Sequence, residues 1–350
     1  MFKNIKINNL RGITGLEIDN FGRVNLFVGQ NSCGKTTILE AIFMLTGATN
    51  PEVTFKINSI RGLGVFSREM WESFFHNYDD NHLITIKGNF HEDDKTLIIR
   101  CKKTNQVSKP LLPEEIREIN KNGTSQPNLV TIGLDLEYIS SSEPSKKIKT
   151  TIFESDKGII PEGIKPSYAE GFFLGPYSQA SELKSRFDLI QNNKQLLDEV
   201  ILLLKQIDPN ISDLRLNRAG MLIANIGIDS LVPVHLLGGG MMKFVDVAFA
   251  MLNYRNGIIL IDEIENGLHH SAQEKLWDAI FNWSEKLNVQ VFATTHSNEC
   301  IRAFCKSIDM SLFSSEAKLF RIERKDEKFR AVEYNQELLS ESLESKWEIR

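Results

Sequence analysis

This chain contains few cysteines, no long apolar run and no large excess of one charge. The 350 residues include four cysteines, Cys33, Cys101, Cys300 and Cys305. Only Cys300 and Cys305 are close in sequence, and no second Cys/His pair lies near them, so a zinc site has little support. We therefore expect reduced cysteines, which are typical of a cytoplasmic protein.

The apolar segments are too short for a membrane protein. The longest ones, such as Val200–Leu204 and Ile258–Ile261, fall far short of the roughly 18 residues that span a bilayer. The N-terminal stretch MFKNIKINNL alternates polar and apolar side chains and contains no signal-peptide core. These absences predict a cytoplasmic chain that does not contact a membrane.

The charges nearly balance, since 41 Lys and Arg residues accompany 46 Asp and Glu residues and give a formal net charge of −5. This mild acidity argues against a protein that coats nucleic acid by bulk charge, but it allows a local basic groove. Hydrophobic residues make up 41% of the chain and charged residues 25%, as in an ordinary folded protein. Composition leaves one large domain or about two ordinary ones open.

The apolar pattern predicts an α/β protein interrupted by a β-rich segment. Strand-like stretches precede a helical stripe in the first part of the chain, and strands alternate with helices again in the last part. Leu319–Glu323 and Arg330–Tyr334 are expected to form a final hairpin. The predicted organisation is a discontinuous domain of residues 1–50 and 166–325, a mostly β insertion of residues 51–165 and a C-terminal tail of residues 326–350.

Residues 29–37, GQNSCGKTT, match the phosphate-binding pattern G-x-x-x-x-G-K-[ST]. They lie between a predicted buried strand, Val24–Val28, and a predicted helix, which is the context that the pattern requires. Backbone N–H groups of such a loop converge on phosphate oxygens, Lys35 can reach the β- and γ-phosphates, and the Thr36 hydroxyl can ligate Mg²⁺. The residues predicted to bind ATP here are Gly29, Asn31, Ser32, Cys33, Gly34, Lys35, Thr36 and Thr37.

A second buried strand, Ile258–Ile261, ends in the adjacent carboxylates of Asp262 and Glu263. In an enzyme with a phosphate-binding loop, the first carboxylate at such a strand end supports Mg²⁺. The next one can polarise a water for attack on the γ-phosphate. We therefore predict that Asp262 is a metal residue and that Glu263 is the catalytic base.

Four segments of the chain, taken together and in order, carry a resemblance to a known family. They are GQNSCGKTT at 29–37, LGGGMMK at 237–243, LIDEIENGLHH at 260–270 and ATTHSNE at 293–299. The set resembles the ABC-type ATPase heads and, among these, the OLD-like ATPases of prokaryotes. The resemblance implies an α/β fold of the P-loop ABC-type head with a mostly β insertion, which binds ATP and Mg²⁺. It also implies that Glu265–His269 meets a partner subunit and that His296 contacts the γ-phosphate.

The segment LGGGMMK departs from the Leu-Ser-Gly-Gly-Gln signature that ABC heads usually carry. A glycine-rich helix N-terminus can still present N–H groups to a phosphate of the opposing subunit, so Gly239 and Gly240 are predicted phosphate contacts. Since the serine and glutamine are missing, Lys243 is expected to supply charge at this position. The glutamine that ligates the metal in ABC heads has no clear match, and Gln179 is the best candidate for that role.

By resemblance, two copies of the chain sandwich two ATP molecules with two-fold symmetry, and hydrolysis releases the dimer. This predicts a slow ATPase that acts as a nucleotide-gated clamp, as a homodimer or a larger assembly, with catalytic residues Glu263, His296 and Lys35. OLD nucleases carry a Toprim domain with clustered carboxylates, whereas residues 335–350 contain no D-x-D. We therefore expect a separately encoded effector, such as a nuclease, in an anti-phage or DNA-maintenance system.

Two other functions stay open at this point. One is a RecF-like DNA-repair clamp, and the other is a scaffold that binds nucleotide without hydrolysing it. DNA binding that needs ATP and weakens with salt would favour a clamp, whereas a stable effector complex without DNA affinity would favour an assembly role. The basic residues that could contact DNA are Arg100, Lys102, Lys103, Lys146, Lys147 and Lys149.

Overall fold

Two large β-sheets with a helix between them organise the chain. The computed structural model describes residues 1–62, 68–105, 129–155, 157–163, 171–176, 180–310 and 316–334. The strands of these residues are β1 (Ile5–Leu10), β2 (Ile13–Ile18), β3 (Val24–Val28), β4 (Ile84–Phe90), β5 (Asp93–Asn105), β6 (Leu129–Ser140), β7 (Ile148–Ser155), β8 (Gly158–Glu162), β9 (Gly171–Leu174), β10 (Asp213–Leu216), β11 (Leu222–Asn225), β12 (Val232–Pro233), β13 (Ile258–Ile261), β14 (Gln290–Thr294), β15 (Ala317–Lys325) and β16 (Lys328–Tyr334).

The helices lie between and beyond the sheets. They are α1 (Lys35–Thr46), α2 (Glu52–Ile60), α3 (Arg68–Glu72), α4 (Ala180–Ile190), α5 (Lys194–Leu204), α6 (Gly239–Asn253), α7 (His270–Lys286) and α8 (Asn298–Met310), with short 3₁₀ turns at His76–Tyr78 and Val234–Leu237. Within the described residues, no helix is long and apolar enough to cross a membrane.

The first sheet has seven antiparallel strands in the order β2-β1-β4-β5-β6-β7-β8. β4 to β8 all lie within residues 51–165, the segment that the sequence predicts to be mostly β. β1 pairs with β4 through the register Ile7 opposite Ile86, so the strands of residues 51–165 continue the sheet that β1 and β2 begin. The division of the chain into a head and an insertion stays a prediction.

The second sheet has six strands in the order β16-β15-β3-β14-β13-β9. β15, β3, β14, β13 and β9 run parallel, and β16 pairs antiparallel with β15, which confirms the predicted final hairpin. Since the carboxyl ends of parallel strands share one edge, the loops that follow β3, β13 and β14 meet there. A third sheet, β10-β11-β12, is small and antiparallel.

Helix α1 lies between the two large sheets. It contacts β1, β4 and β5 of the first sheet and β9, β13 and β14 of the second. Ten of its 12 residues are buried, because its sequence KTTILEAIFMLT is apolar on almost every face. Its one carboxylate, Glu40, is therefore carried into the interior, where a charge needs a partner.

The six-stranded sheet separates two hydrophobic cores. Leu26 and Val28 of β3 point into the core that includes helices α4 to α8, whereas Phe27 between them points into the core shared with α1 and the seven-stranded sheet. This alternation follows from the period of two along a strand. Cys300 and Cys305 are buried thiols in the first of these cores.

An ion pair inside the first core joins α4 to α6. The Nη2 atom of Arg186 lies 3.0 Å from Oδ1 of Asp246, and the two side chains are only 5% and 1% exposed. The same guanidinium lies over the ring of Phe172, 4.8 Å from its centroid. Loss of either charge would leave the other buried without its partner, which costs far more than loss of a surface pair.

Arg186→Met is expected to lower the free energy of unfolding by roughly 3–5 kcal/mol, because the Asp246 carboxylate loses its cationic partner while it stays buried in the core. Equilibrium unfolding in urea measures this loss. The matched control is Lys306→Met, which removes an exposed ammonium 2.6 Å from Glu274 and should change stability little. Equal losses in the two variants would contradict the role assigned to the buried pair.

Candidate functional site

The loop between β3 and α1 curls through left-handed backbone conformations. Its φ angles are 142° at Gly29, 62° at Ser32 and 94° at Gly34. A Cβ atom on Gly29 would lie 2.5 Å from the carbonyl oxygen of Ile322, so only glycine fits there. The N-terminus of α1 has no side-chain cap. Uncapped N–H groups and the helix dipole at such a start are the features with which the motif is predicted to bind phosphate.

Lys35 lies over this loop. Its ammonium donates hydrogen bonds of 2.8 Å to the carbonyl oxygens of Gly29 and Gln30. The positive charge is thereby held beside the N–H groups at the start of α1. Lys35 is in position to meet a phosphate bound by the loop, as the sequence predicts.

A chain of hydrogen bonds joins the ends of three elements. The Thr36 hydroxyl of α1 lies 3.0 Å from both carboxylate oxygens of Asp262, which follows β13. The Thr294 hydroxyl at the end of β14 donates to Asp262 Oδ1 at 2.6 Å and accepts the backbone N–H of Glu263 at 2.9 Å. Thr294 lies in the segment ATTHSNE, but no role was predicted for it, because its role depends on the neighbouring strand.

The pair of Thr36 and Asp262 fits a magnesium site. Mg²⁺ is usually held by one or two protein oxygens together with substrate phosphates and water, and a hydroxyl beside a carboxylate supplies such a set. Burial raises the pKa of Asp262, and the negative charges of Glu263 and Glu40 act in the same direction. A divalent cation would offset this accumulation of negative charge.

Glu263, the predicted base, has a left-handed backbone with φ 46°. Its side chain is half-buried and accepts a hydrogen bond of 2.7 Å from the Asn266 amide. Non-glycine residues adopt this conformation rarely, and such positions cluster at active sites.

His296 is held by a carboxylate of its own subunit. Its backbone N–H donates to Oε1 of Glu265 at 2.9 Å, and its Nδ1 lies 3.1 Å from the same oxygen. Glu265 is 9% exposed, while the His296 ring is half-exposed. The carboxylate therefore orients the ring, a role that the motif resemblance did not assign to Glu265.

These groups line one cavity of about 510 Å³. Its volume lies within the range of known small-molecule sites. Most of the residues predicted for the phosphate loop, the metal and catalysis line this cavity, whereas Gly29 and Cys33 do not. The lining also includes Arg11, Gly12, Arg61, Arg324 and Phe329, which lie outside the motifs. The lining residues are Arg11, Gly12, Asn31, Ser32, Gly34, Lys35, Thr36, Thr37, Arg61, Asp262, Glu263, Thr294, His296, Arg324 and Phe329.

Two arginines of this lining are fixed by the buried carboxylate of α1. Glu40 Oε2 accepts from Nε of Arg11 at 2.7 Å, and Glu40 Oε1 accepts from Nε of Arg61 at 2.5 Å. Arg11 also donates to the side-chain oxygen of Asn58 at 2.8 Å. The signal in the sequence was a lone carboxylate on a helix that is otherwise apolar, since such a group needs a cationic partner.

The glycine-rich start of α6 lies outside the lining of this cavity. The backbone of Gly239 packs against Gly267, where a Cβ atom would meet backbone atoms at 3.3 Å, and Gly240 follows on the same turn. Lys243, expected to meet a phosphate, is instead buried in its own subunit and donates to the Glu263 carbonyl oxygen at 3.3 Å. Burial lowers its pKa. Gln179 lies outside the described residues.

Most of the six basic residues that the sequence offers for DNA contact have a carboxylate partner. Five of the six have a carboxylate within 4.0 Å, and these pairs are Arg100 and Lys147 with Glu137, Lys102 with Asp135, Lys103 with Asp80, and Lys146 with Glu143. The sixth, Lys149, faces Glu137 across the β6–β7 pair. These six cations lie among four carboxylates, which partly offset their charge.

Known proteins match the chain over most of its length. Residues 24–302 match the sequence profile of the family described as "AAA domain, putative AbiEii toxin, Type IV TA system". The chain belongs to this family. The prediction of an ATPase is thereby confirmed at the level of the family.

A relative from Helicobacter pylori, named ATP/GTP phosphatase, is 27% identical over 93% of this chain and 94% of its own length. An uncharacterised protein from Methanocaldococcus jannaschii, MJECL10, is 25% identical over 61% of this chain and 90% of its own length. Among solved structures, an SMC head bound to the C-winged helix domain of ScpA is similar with a TM-score of 0.52 and 11% identity. That match covers 97% of this chain and 99% of the SMC head. The predicted α/β fold is confirmed, since the chain has mixed sheets and its fold is similar to that of the SMC head.

Thr294→Val is expected to lower kcat for ATP hydrolysis by about 10–100-fold, because it removes the hydroxyl that joins Asp262 to the Glu263 N–H. The valine has nearly the same shape, so the fold should persist. Phosphate release at saturating ATP and Mg²⁺ measures the effect. Thr294→Ser, which keeps the hydroxyl, is the control, and a Thr294→Val enzyme with normal kcat would refute the bridging role.

Proposed function

We propose that this chain is a slow ATPase that works as a nucleotide-gated dimeric clamp. The observation that carries the proposal is the grouping of Lys35, the Thr36–Asp262 pair and Glu263 on one cavity, while the exposed start of α6 lies elsewhere on the surface. A site whose signature glycines are absent from its own cavity is completed by a second subunit.

The residues of the cavity have separate roles in this proposal. The start of α1 and Lys35 bind the β- and γ-phosphates, and Thr36 and Asp262 hold Mg²⁺, which neutralises phosphate charge. Glu263 accepts the proton of the attacking water. His296, oriented by Glu265, contacts the γ-phosphate.

Gly239 and Gly240 are proposed to contact the ATP of the opposing subunit. The N-terminus of α6 has no side-chain cap, and Gly238 and Gly239 are exposed, so its N–H groups are accessible to a phosphate. Lys243 would have to leave its buried position in order to contribute charge there. We therefore assign the contact to the backbone first.

ATP is the substrate that we propose, and the Helicobacter pylori relative supports this, since its name gives it activity on ATP and GTP. We also propose membership of the OLD-like subfamily, with a separately encoded effector in anti-phage defence or DNA maintenance. The SMC head that binds a winged-helix domain gives a precedent for a partner protein on this fold. A DNA-repair clamp has less support, because most of the basic residues that could contact DNA are paired with carboxylates.

Glu263→Gln is expected to lower kcat by about 10²–10⁴-fold, because the proton acceptor is lost while ATP binding is kept. With ATP and Mg²⁺ the variant should accumulate as a dimer of twice the 39.8 kDa chain mass in sedimentation velocity. Glu274→Gln, an exposed change on α7, should behave like the wild type.

Unchanged hydrolysis in Glu263→Gln would contradict the catalytic assignment. Trapped ATP without a dimer would contradict the clamp. A wild-type chain that binds ATP, forms the dimer and never releases phosphate would favour the non-hydrolysing scaffold instead.

A further inference from the structure

We infer that Phe329, on the hairpin of β15 and β16, is the surface on which the base of the nucleotide stacks, whether that base is adenine or guanine. The inference rests on the proposed function only in requiring a nucleotide in the 510 Å³ cavity. It concerns the base, to which the motif residues give no contact, rather than the phosphates.

The lining of the cavity leaves one place for an apolar ring. Among the described residues that line it, Phe329 is the only large apolar side chain, since the others are polar, charged or glycine. His296 has a planar ring as well, but Glu265 holds it beside the acidic strand ends. A base has two apolar faces, and its binding is strengthened most where an aromatic ring covers one of them.

Phe329 also lies directly beside the phosphate loop. A Cβ atom built on Gly34 would be 3.5 Å from Cε1 of Phe329 and 3.2 Å from the Ile13 side chain. The ring therefore borders the last glycine of the loop, next to the start of α1. A ligand whose phosphates occupy the loop can reach the ring without leaving the cavity.

Two neighbouring cavities show where the hairpin lies relative to the metal residue Asp262. One has a volume of about 370 Å³ and shares Asn31, Ser32 and Arg324 with the nucleotide cavity, but not Asp262. The other, of about 420 Å³, shares Thr36, Arg61 and Asp262, but not Arg324. Arg324 thus borders the nucleotide cavity at the end away from Asp262, and Phe329 lies opposite it on the same hairpin.

The ring is held in place by its own packing and by the hairpin. Phe329 is half-buried against the core that contains Ile13, and it pairs across the hairpin with Arg324. The Thr14 hydroxyl of β2 donates to the Glu327 carbonyl oxygen at 2.7 Å, which ties the hairpin turn to the seven-stranded sheet. A preorganised ring loses little freedom when it is covered, so stacking contributes to affinity.

Arg324 marks the face that the base would use. Its guanidinium carbon lies 5.3 Å from the centroid of Phe329, while the residue is exposed and its Nε donates to the Asp326 carbonyl oxygen at 3.2 Å. The planar guanidinium of Arg324 stacks on the ring here. Because Arg324 is exposed, a planar base can displace its side chain from the ring at low cost. Stacking is available to every base, so adenine and guanine should gain equally.

Phe329→Leu tests this inference, because leucine keeps the apolar contact with the core and removes the ring. Calorimetric titration with Mg²⁺ should show that ATP and GTP both bind roughly 5- to 150-fold more weakly than to the wild type. Inorganic tripolyphosphate, which has no base, should bind with unchanged affinity. Phe329→Tyr, which keeps the ring, should bind all three ligands like the wild type.

Three outcomes would overturn the inference: ATP binding unchanged in Phe329→Leu, an equal loss for tripolyphosphate, or a loss confined to one of the two nucleotides. A melting temperature close to that of the wild type establishes that the leucine variant is folded, and if it is not, Phe329→Met replaces it. Failure of the wild type to bind either ATP or tripolyphosphate would instead refute the proposed function.

Discussion

The burial of α1 between two sheets is the constraint on which the rest of the structure depends. A helix that is apolar on almost every face cannot lie on the surface, and here both sheets cover it. This fixes its N-terminus at the edge where the parallel strands end, so the phosphate loop has a rigid base. It also carries Glu40 into the interior, where Arg11 and Arg61 pair with it and are held at the cavity wall.

Hydrogen bonds across the edge of the sheet position the other site residues relative to this helix. Thr36 contacts Asp262, Thr294 contacts both Asp262 and the Glu263 backbone, and Glu265 holds His296. Each bond joins the ends of different elements, so the metal residue, the base and the histidine are set relative to the phosphate loop. Preorganised charges and donors of this kind are the main source of stabilisation in phosphoryl transfer.

The residues alone predicted the phosphate loop and the acidic strand end, because each is a local pattern at the end of a strand. The role of His296 was predicted only from the family resemblance. The convergence of these residues followed from the rule that parallel strands share an edge. The part that sequence could not supply depends on tertiary contacts. Phe329 faces the cavity only because the last hairpin packs beside β2, and Lys243 points inward although its position suggested a phosphate contact. Likewise, β1 pairs with β4, a strand from residues 51–165, so β1 and β2 belong to the same sheet as that segment, which no local pattern indicated.

The central claim is that Thr36 and Asp262 hold a divalent cation together with the phosphates of a nucleotide. Electron paramagnetic resonance of Mn²⁺, used in place of Mg²⁺, tests it most directly. The account predicts that Mn²⁺ binds tightly only when ATP is present, with ³¹P hyperfine coupling, and that Asp262→Asn and Thr36→Val each weaken that binding. Tight Mn²⁺ binding without ATP, or binding that neither substitution alters, would contradict the account.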